Sequence, residues 1–426
     1  MDITYSGSLK NSKSKKNSIK LNFSILFVIF LFIVNETTRS VLGEKVGLIN
    51  IPFLLIGISF ISFAFRNGRI RPAIFLIVTL FSAIDLIVSL FLQKSGHYYV
   101  ITISNLLTPL FLLSVIINKE QALKTLRCFV KYFNVYIIIV LFFGIIDYFT
   151  NSSIQLFLAR TVYKGQHFAE ILLSEKRLGI YRFYFISGHP LQNSKYFLIF
   201  FIVNSIYARY DKYLLNKYLI SIITIIGLIL SGSKTALVIG ATLVIFFNSL
   251  KKYKWVYISI TVCFLIVFFN TPLFQNNLGM RFQQGIKSGD LTSGRNDVIK
   301  MILTTNEEKP QLFYGGGAGY SREVVSRLNT YSGSFEYPII MFSYDYGVFG
   351  MVLIYFCILI YPLYVFVKRK QWYLFFSFLL LTLYINTNNG IAQYEMDSMS
   401  QLCFIILILV NLGKEPLGNN LTLNRI

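Results

Sequence analysis

Long apolar runs constrain this chain more than any other feature of its sequence. The segments Pro72–Leu92 and Gly350–Val367 are almost uninterrupted apolar sequence, and several other segments approach the same length. About 20 such residues cross the hydrocarbon layer of a bilayer. Because lipid offers no hydrogen-bond partners, a spanning segment must pair its own backbone groups, and these runs are therefore predicted to be helices.

The composition excludes an ordinary soluble domain. Hydrophobic residues make up 55% of the chain and charged residues only 14%, whereas soluble domains are about 25% charged. The sequence therefore predicts an all-α polytopic integral membrane protein with about twelve transmembrane helices. Residues 1–426 are expected to form a single transmembrane domain.

The distribution of Lys and Arg predicts the orientation. Alternate connecting segments, at 66–71, 119–131, 209–217, 251–254 and 368–370, are strongly basic, and the short segments between them carry few basic residues. Cytoplasmic loops of membrane proteins carry this excess. We therefore expect a basic cytoplasmic N-terminus at 1–20, a cytoplasmic tail at 413–426 and two long outer loops at 151–190 and 271–337.

The net charge of +21 is explained in the same way. It reflects the cytoplasmic basic loops and their attraction to anionic lipid, and no nucleic-acid partner is predicted. The sequence also predicts neither a metal site nor a cofactor. Its four cysteines have neither metal-ligand spacing nor a disulfide framework, and the sequence positions are Cys128, Cys263, Cys357 and Cys403.

Both long outer loops contain candidate ligands for an anion. In the first, Arg182 and His189 belong to a basic segment rich in Tyr and Phe, whose rings can stack on sugars or anchor the membrane edge. In the second, "TSGR" predicts a capped helix start with Arg295 in its first turn, followed by apolar residues at helical spacing. A helix N-terminus with an Arg suits phosphate. Arg281 precedes it in the same loop.

Two further motifs each allow two interpretations. "SGSKTALVIG" lacks the Gly-Lys-Thr of a nucleotide-binding loop, so Lys234 either extends its ammonium towards water or binds a lipid-linked anion at the membrane surface. "YGGGAGY", which contains Gly316 and Gly317, is either a flexible turn or a place where the backbone approaches a bulky ligand closely.

The order of these motifs resembles the O-antigen polymerase and O-antigen ligase superfamily of bacterial envelope polysaccharide synthesis. A basic turn at Lys234 is followed by an outer loop with "SGR", by "GGGAG" and by the entry to another span. That entry has Glu336 and Tyr337, nine residues, then Gly347 and Gly350. The spacing of the glycines matches the ligases, but Glu336 stands where they have His, which argues against a ligase and is compatible with a polymerase.

The resemblance implies an architecture, an enzyme and a location. The architecture is similar to the GT-C-like helical fold, in the bacterial inner membrane, with both termini cytoplasmic and the active site facing the periplasm. The donor and acceptor would be glycans on undecaprenyl pyrophosphate, joined without a metal or another cofactor. The enzyme would also meet membrane lipid, a flippase and a polysaccharide co-polymerase that regulates chain length.

The resemblance also implies roles for individual residues. Arg295 and Glu336 are the expected catalytic residues, since a cation can stabilise the departing pyrophosphate and a carboxylate can accept the proton of the acceptor hydroxyl. The expected substrate-binding residues are Lys234, Arg281, Arg182, His189, Gly316 and Gly317. Glu336 can alternatively be an exposed carboxylate at the membrane interface, and the chain as a whole can alternatively be a ligase or a lipid-linked oligosaccharide flippase.

Overall fold

The computed structural model describes most of the chain as helices. The described residues are 23–43, 47–162, 168–248, 259, 263, 270–289, 295–305, 309–328, 335, 337–387, 390–391 and 397–413. At a few positions inside these ranges, Arg281 among them, only the backbone is described. Within these ranges no strand occurs, and extended pairing is limited to two isolated bridges. The all-α prediction is confirmed.

The first half of the chain forms helices α1 to α10. A π-helical turn, Ile29–Ile33, continues α1, a second one, Ile103–Leu107, joins α5 to α6, and a 3-10 turn, Phe185–Ser187, precedes α10. The helices are α1 Phe23–Val28, α2 Glu36–Ser40, α3 Ile51–Arg66, α4 Pro72–Phe91, α5 Gly96–Thr102, α6 Thr108–Leu112, α7 Lys119–Phe149, α8 Ser153–Thr161, α9 Phe168–Arg177 and α10 Pro190–Tyr210.

The second half of the chain forms helices α11 to α20. π-helical turns at Gln275–Gly279 and Phe356–Ile360 join α13 to α14 and α17 to α18. The helices are α11 Lys217–Ser231, α12 Lys234–Asn248, α13 Pro272–Phe274, α14 Met280–Ser288, α15 Arg295–Thr304, α16 Tyr320–Arg327, α17 Pro338–Tyr355, α18 Tyr361–Lys368, α19 Trp372–Thr387 and α20 Ser398–Asn411.

Three helical segments are long and apolar enough to cross a membrane. They are Pro72–Phe91, Lys119–Phe149 and Pro338–Lys368, and six shorter apolar helices accompany them in the described part of the chain. This supports a membrane association. The number of about twelve spans stays a prediction, and the predicted span around residue 263 lies almost wholly outside the described residues, as do segment 1–20 and the tail beyond Gly413.

Two helices form the centre of the bundle. Nearly every residue of α10 and every residue of α20 is buried, as expected for helices surrounded by protein on all sides. α10 is also the more polar of the two, with Asn193, Ser194, Lys195 and Asn204 buried along it. Polar side chains of this kind are costly in lipid, so α10 lies inside the bundle, against α7, α11, α12 and α19.

Phenylalanine rings fill the space between the central and the N-terminal helices. The ring centroid of Phe32 lies 4.9 Å from that of Phe129 and 5.0 Å from that of Phe133. Phe404 of α20 packs on Phe129 at 5.6 Å. These rings tie α7, α20 and the π turn after α1 into one apolar core.

The two predicted outer loops contain folded elements. α8, α9 and the 3-10 turn occupy the first, and α13 to α16 occupy the second. The amphipathic helix expected after "TSGR" is confirmed, because α15 begins at Arg295 and buries Ile302. Both segments are thus built from short helices, which can hold side chains in fixed positions over the bundle.

The packing of α10 against α11 depends on a glycine. A Cβ atom on Gly227 would overlap the ring of Phe197, whereas a Cβ atom on Gly96 would meet nothing within 4 Å. Well-packed cores lose about 1–3 kcal/mol when extra atoms are forced into them. The two positions therefore form a matched pair for testing the packing of this bundle.

We expect Gly227→Ala to lower the thermal unfolding temperature of the purified protein in detergent by several degrees, because α10 and α11 must separate. Gly96→Ala, which adds the same methyl group in open space, should leave the temperature unchanged within error. Equal melting curves for the two variants would contradict the close packing of α10 against α11.

Candidate functional site

His189 caps the N-terminus of α10 with its side chain. Its Nδ1 accepts a hydrogen bond from the backbone N–H of Leu191 at 3.2 Å. In a neutral imidazole the other ring nitrogen, Nε2, then carries the proton and is a donor. Desolvation, followed by the charges of Arg182 and Arg295, lowers the pKa of His189 to about 3. The ring is therefore neutral at pH 7 and presents a donor.

Two arginines lie close enough to this histidine for their charges to act on it. Arg182 pairs with Glu175 at 3.0 Å and stands over the ring of Tyr184 at 5.8 Å. Arg295, at the start of α15, donates from Nη1 to the carbonyl of Thr387 at 2.8 Å. Thr387 is the last residue of α19, so Arg295 joins the second long loop to the end of that helix. The charges of both arginines act on His189.

The hydroxyl of Tyr384 marks the point where these elements meet. It donates to the carbonyl of Leu191 at 3.0 Å, which fixes the end of α19 against the start of α10. The side chains of Ser194 and Ser233 also bond with it, and the charges of Arg295 and Arg182 act on it. No sequence motif distinguishes Tyr384 from the many other tyrosines of the chain, so the sequence analysis missed it.

Lys234 follows Ser233 at the start of α12. Its Nζ lies 4.7 Å from the ring centroid of Phe282 on α14, a distance typical of a cation–π contact. The contact orients the ammonium group of Lys234 and ties α12 to the second long loop. The backbone of α14 includes Arg281, the residue before Phe282, but the side chain of Arg281 lies outside the described residues.

The structure thus brings four of the predicted residues to one end of the bundle. Arg182 and Arg295 act on His189 and on Tyr384, at the junction of α10 and α19. Lys234 directly follows Ser233, whose side chain bonds with Tyr384. Glu336 lies outside the described residues. Its neighbour Tyr337 donates a long hydrogen bond of 3.4 Å to Asn296, and Asn296 directly follows Arg295.

Gly316 and Gly317 have a different environment. Their backbone N–H groups donate to the carbonyls of Tyr344 and Asp345 at 2.8 and 2.9 Å. Residues 311–319, which we call the glycine segment, are therefore packed against α17 instead of forming a flexible turn. Since both N–H groups are bonded to helix carbonyls, they do not form a backbone cradle for an anion.

A buried ion pair lies at the same end of the bundle and was also missed. Arg39 of α2 donates from its two terminal nitrogens to the two oxygens of Asp397, at 2.8 and 3.2 Å. Asn50 donates to Asp397 Oδ1 at 2.8 Å. Beside the pair, Lys195 Nζ donates to Ser398 Oγ at 2.7 Å. The paired residues are 358 positions apart in the sequence, so no local pattern could indicate this contact.

Glu36 is a further residue that the sequence analysis missed. The residues on either side of it are fixed to the turn before His189, since Asn35 donates to Ile186 and Thr37 donates to Ser187. Desolvation, followed by the charge of Asp397, raises the pKa of Glu36 to about 8, against the opposing effects of Arg39 and Arg322. Glu36 is therefore a carboxyl group that exchanges its proton close to neutral pH.

Comparisons with known proteins do not assign the chain to a family. No family model matches this sequence, and no curated protein matches it either.

The arrangement is suited to an anionic ligand. Fixed cations and neutral donors at the end of an apolar bundle can bind a phosphate group while an attached lipid remains in the membrane. The described part of the chain has no cluster of three His, Cys, Asp or Glu side chains that could hold a metal ion. The site therefore offers cations, a histidine donor and a nearby carboxyl group.

The ion pair of Arg39 and Asp397 gives a prediction about stability. Arg39→Met or Asp397→Leu alone should each cost about 3–5 kcal/mol, because each leaves an uncompensated buried charge. The double variant, with no buried charge left, should unfold at a higher temperature than either single variant. Thermal unfolding of the four proteins in the same detergent measures this. Strictly additive losses in the double variant would show that the two charges do not interact.

Proposed function

We propose that this protein is a membrane polysaccharide polymerase. It would join oligosaccharide repeat units, carried on undecaprenyl pyrophosphate, at the outer face of the bacterial inner membrane. The product would be an O-antigen, a capsule or a similar envelope glycan. The observation that carries the proposal is the position of Arg182 and Arg295 beside His189 at the start of α10, with Lys234 next to Ser233 of the same junction.

The proposed reaction is a glycosyl transfer with a lipid pyrophosphate as leaving group. The hydroxyl oxygen of the acceptor glycan forms a bond to the anomeric carbon of the donor, and the bond from that carbon to the pyrophosphate oxygen breaks. Negative charge then grows on the pyrophosphate. Arg295 would bind it with its planar guanidinium, and Lys234 and His189 would donate to the remaining oxygens. Such fixed cations make a metal-independent transfer chemically reasonable.

The acceptor hydroxyl must also lose a proton, for which two carboxyl groups are candidates. Glu336 is proposed from the resemblance to the ligases. Glu36 is proposed from its position beside the turn that precedes His189. His189 is a poor choice, because its Nδ1 lone pair already accepts the N–H of Leu191. Its role would be that of a donor to the glycan or the pyrophosphate.

The proposal includes the finer topology and the partners. The chain would have about twelve spans in a GT-C-like arrangement, with both termini in the cytoplasm and the site facing the periplasm. The basic connecting segments predict one side of the membrane to be cytoplasmic. The site lies beside the two long loops, which are predicted to be on the opposite side, and this supports the orientation. A flippase would supply the lipid-linked units, and a polysaccharide co-polymerase would regulate the length of the product.

Arg295 provides the first functional prediction. Arg295→Ala should reduce the rate by about 10²–10³, as expected when one donor to a developing negative charge is removed. Arg295→Lys should also be impaired, because an ammonium group lacks the planar fork. The measurement is the glycan ladder of a deletion strain complemented with each variant, which should shift from long polymer to single repeat units.

The control for Arg295 is Arg66→Ala, which removes an exposed Arg at the C-terminus of α3. It should leave the ladder unchanged. A normal ladder from Arg295→Ala at normal protein level would contradict the proposed role. Loss of transfer to the lipid A core with polymer intact would instead indicate a ligase, and inward-facing lipid intermediates would indicate a flippase.

Substitution and the pH dependence of activity can show which of the two carboxyl groups, Glu336 or Glu36, is the base. If Glu336 is the base, Glu336→Gln should collapse the polymer to single units, with a loss of about 10²–10⁴. If Glu36 is the base, Glu36→Gln should do so instead. Since the pKa of Glu36 is about 8 and the base is the deprotonated form, activity of the wild type in vesicles should then rise with pH through this value.

The shape of the pH profile decides between the candidates. If Glu36 is the base, Glu36→Gln should abolish the rise in activity near pH 8. Glu336→Gln should leave the pH at which activity rises unchanged. Full polymer from both variants would show that neither carboxyl group accepts the proton.

A further inference from the structure

The helix α17 is broken in its middle, and the glycine segment fills the break. Gly347 has φ 67° and ψ 178°, a conformation outside the helical region and one that L side chains rarely adopt. A Cβ atom on Gly347 would overlap the carbonyl of Phe313. A Cβ atom on Gly315 would likewise overlap the carbonyl of Asp345. Two glycines thus allow two stretches of backbone to come into direct contact.

Hydrogen bonds across this contact replace those that the break removes. The N–H groups of Val348 and Phe349 donate to the carbonyls of Leu312 and Phe313, at 2.9 and 3.4 Å. In the opposite direction, Gly316 and Gly317 donate to Tyr344 and Asp345. Residues 311–317 therefore complete the backbone pairing of α17 on both sides of Gly347.

The length of the helix after the break places the break at the edge of the hydrocarbon layer. Gly347 precedes Lys368 by 21 residues, and Lys368 opens the basic cluster at the other end of this candidate span. At ~1.5 Å per residue this distance is about 31 Å, close to the ~30 Å of the hydrocarbon layer. With the basic cluster at one surface of the layer, the break lies at the opposite surface.

The tip of the glycine segment is apolar and exposed. The exposed fractions are 66% for Leu312, 72% for Phe313 and 40% for Tyr314. On α17, Val348, whose N–H donates to Leu312, is 39% exposed, and Val352, one turn later, is 49% exposed. A run of Leu, Phe and Tyr beside a lipid-facing helix has the composition of a membrane-interface anchor.

The opposite side of the segment is attached to the protein. Asp345 is buried and accepts hydrogen bonds from the backbone and hydroxyl of Ser321, at 2.6 and 2.9 Å. The backbone of Ala318 donates to Ser89 of α4. Glu323 pairs with Lys94 at 2.7 Å. The apolar tip is thus held in a fixed position at the edge of the bundle.

We propose that residues 311–319 form a re-entrant anchor, with Leu312, Phe313 and Tyr314 in contact with the acyl chains of one leaflet. This segment belongs to the second long loop, which the sequence assigns to the aqueous side. Lipid is the occupant that fits, because the tip continues the apolar surface of a candidate span and because the buried helix break beside it has its backbone groups paired, as an apolar surrounding requires. The inference does not depend on the proposed enzymatic activity.

Spin labelling of the full-length protein tests the anchor. In a variant with all four cysteines replaced by Ser, a nitroxide would be attached at Phe313→Cys. The protein would be placed in vesicles of phosphatidylethanolamine and phosphatidylglycerol. Accessibility to oxygen, which is concentrated in lipid, would be compared with accessibility to a water-soluble nickel chelate. Lys309→Cys serves as the aqueous control and Val352→Cys as the lipid control.

We expect the ratio of oxygen to nickel accessibility at Phe313 to be several-fold higher than at Lys309 and close to that at Val352. A ratio equal to that at Lys309, with Val352 in lipid, would overturn the anchor and place the tip in water. Low accessibility to both reagents at Phe313 would also overturn it, since the tip would then be covered by protein, such as a second copy of the chain.

Discussion

The need to pair every backbone N–H and C=O group in an apolar environment governs this structure. It explains why the described residues are helical and why the shorter elements also end on caps. Asn35, for example, caps the five-residue helix α2 by accepting the N–H of Thr38 at 3.0 Å. Where a helix is interrupted, at Gly347, another segment supplies the missing partners.

The polar residues of the bundle obey the same constraint. Arg39 is buried with Asp397, and Lys195 is buried against Ser398. Asn134 of α7 and Asn204 of α10 bond to each other through their amide groups, at 2.7 and 3.1 Å. Each of these contacts links elements far apart in the sequence. The polar core therefore specifies which helices are neighbours and also stabilises the folded bundle.

The sequence predicted the class of the fold because it depends on composition and on the length of apolar runs. It also predicted a shared site for Arg182, His189, Lys234 and Arg295. The structure places the two arginines close to His189, and Lys234 follows Ser233, which bonds with Tyr384; the shared role of the four residues stays a prediction. The short helices within the loops were only partly predicted, since few residues indicate them. The amphipathic pattern after "TSGR" identified α15, because it buries one face on the bundle.

Other parts of the site could not be predicted, for a physical reason. Tyr384, Asp397 and Glu36 owe their environments to partners in distant segments. The proton affinity of Glu36 depends on desolvation and on the nearby charges, and none of these follows from the residues beside it. The glycine segment was open to two interpretations because its partner, the break in α17, is a feature of backbone geometry at a single residue.

Under the proposed function, the hydrogen bond between His189 and Leu191 has a consequence for the choice of lipid headgroup. It commits the one acceptor of the imidazole to the protein, so the histidine can offer only a donor to a ligand. Arg295 and Lys234 likewise carry donors and no acceptor. A headgroup that is rich in acceptor oxygens and carries only negative charge would be favoured there. Phospholipids with a positively charged amine on the same headgroup would bring like charges together, and the abundant zwitterionic lipids of a membrane would compete poorly for this end of the bundle.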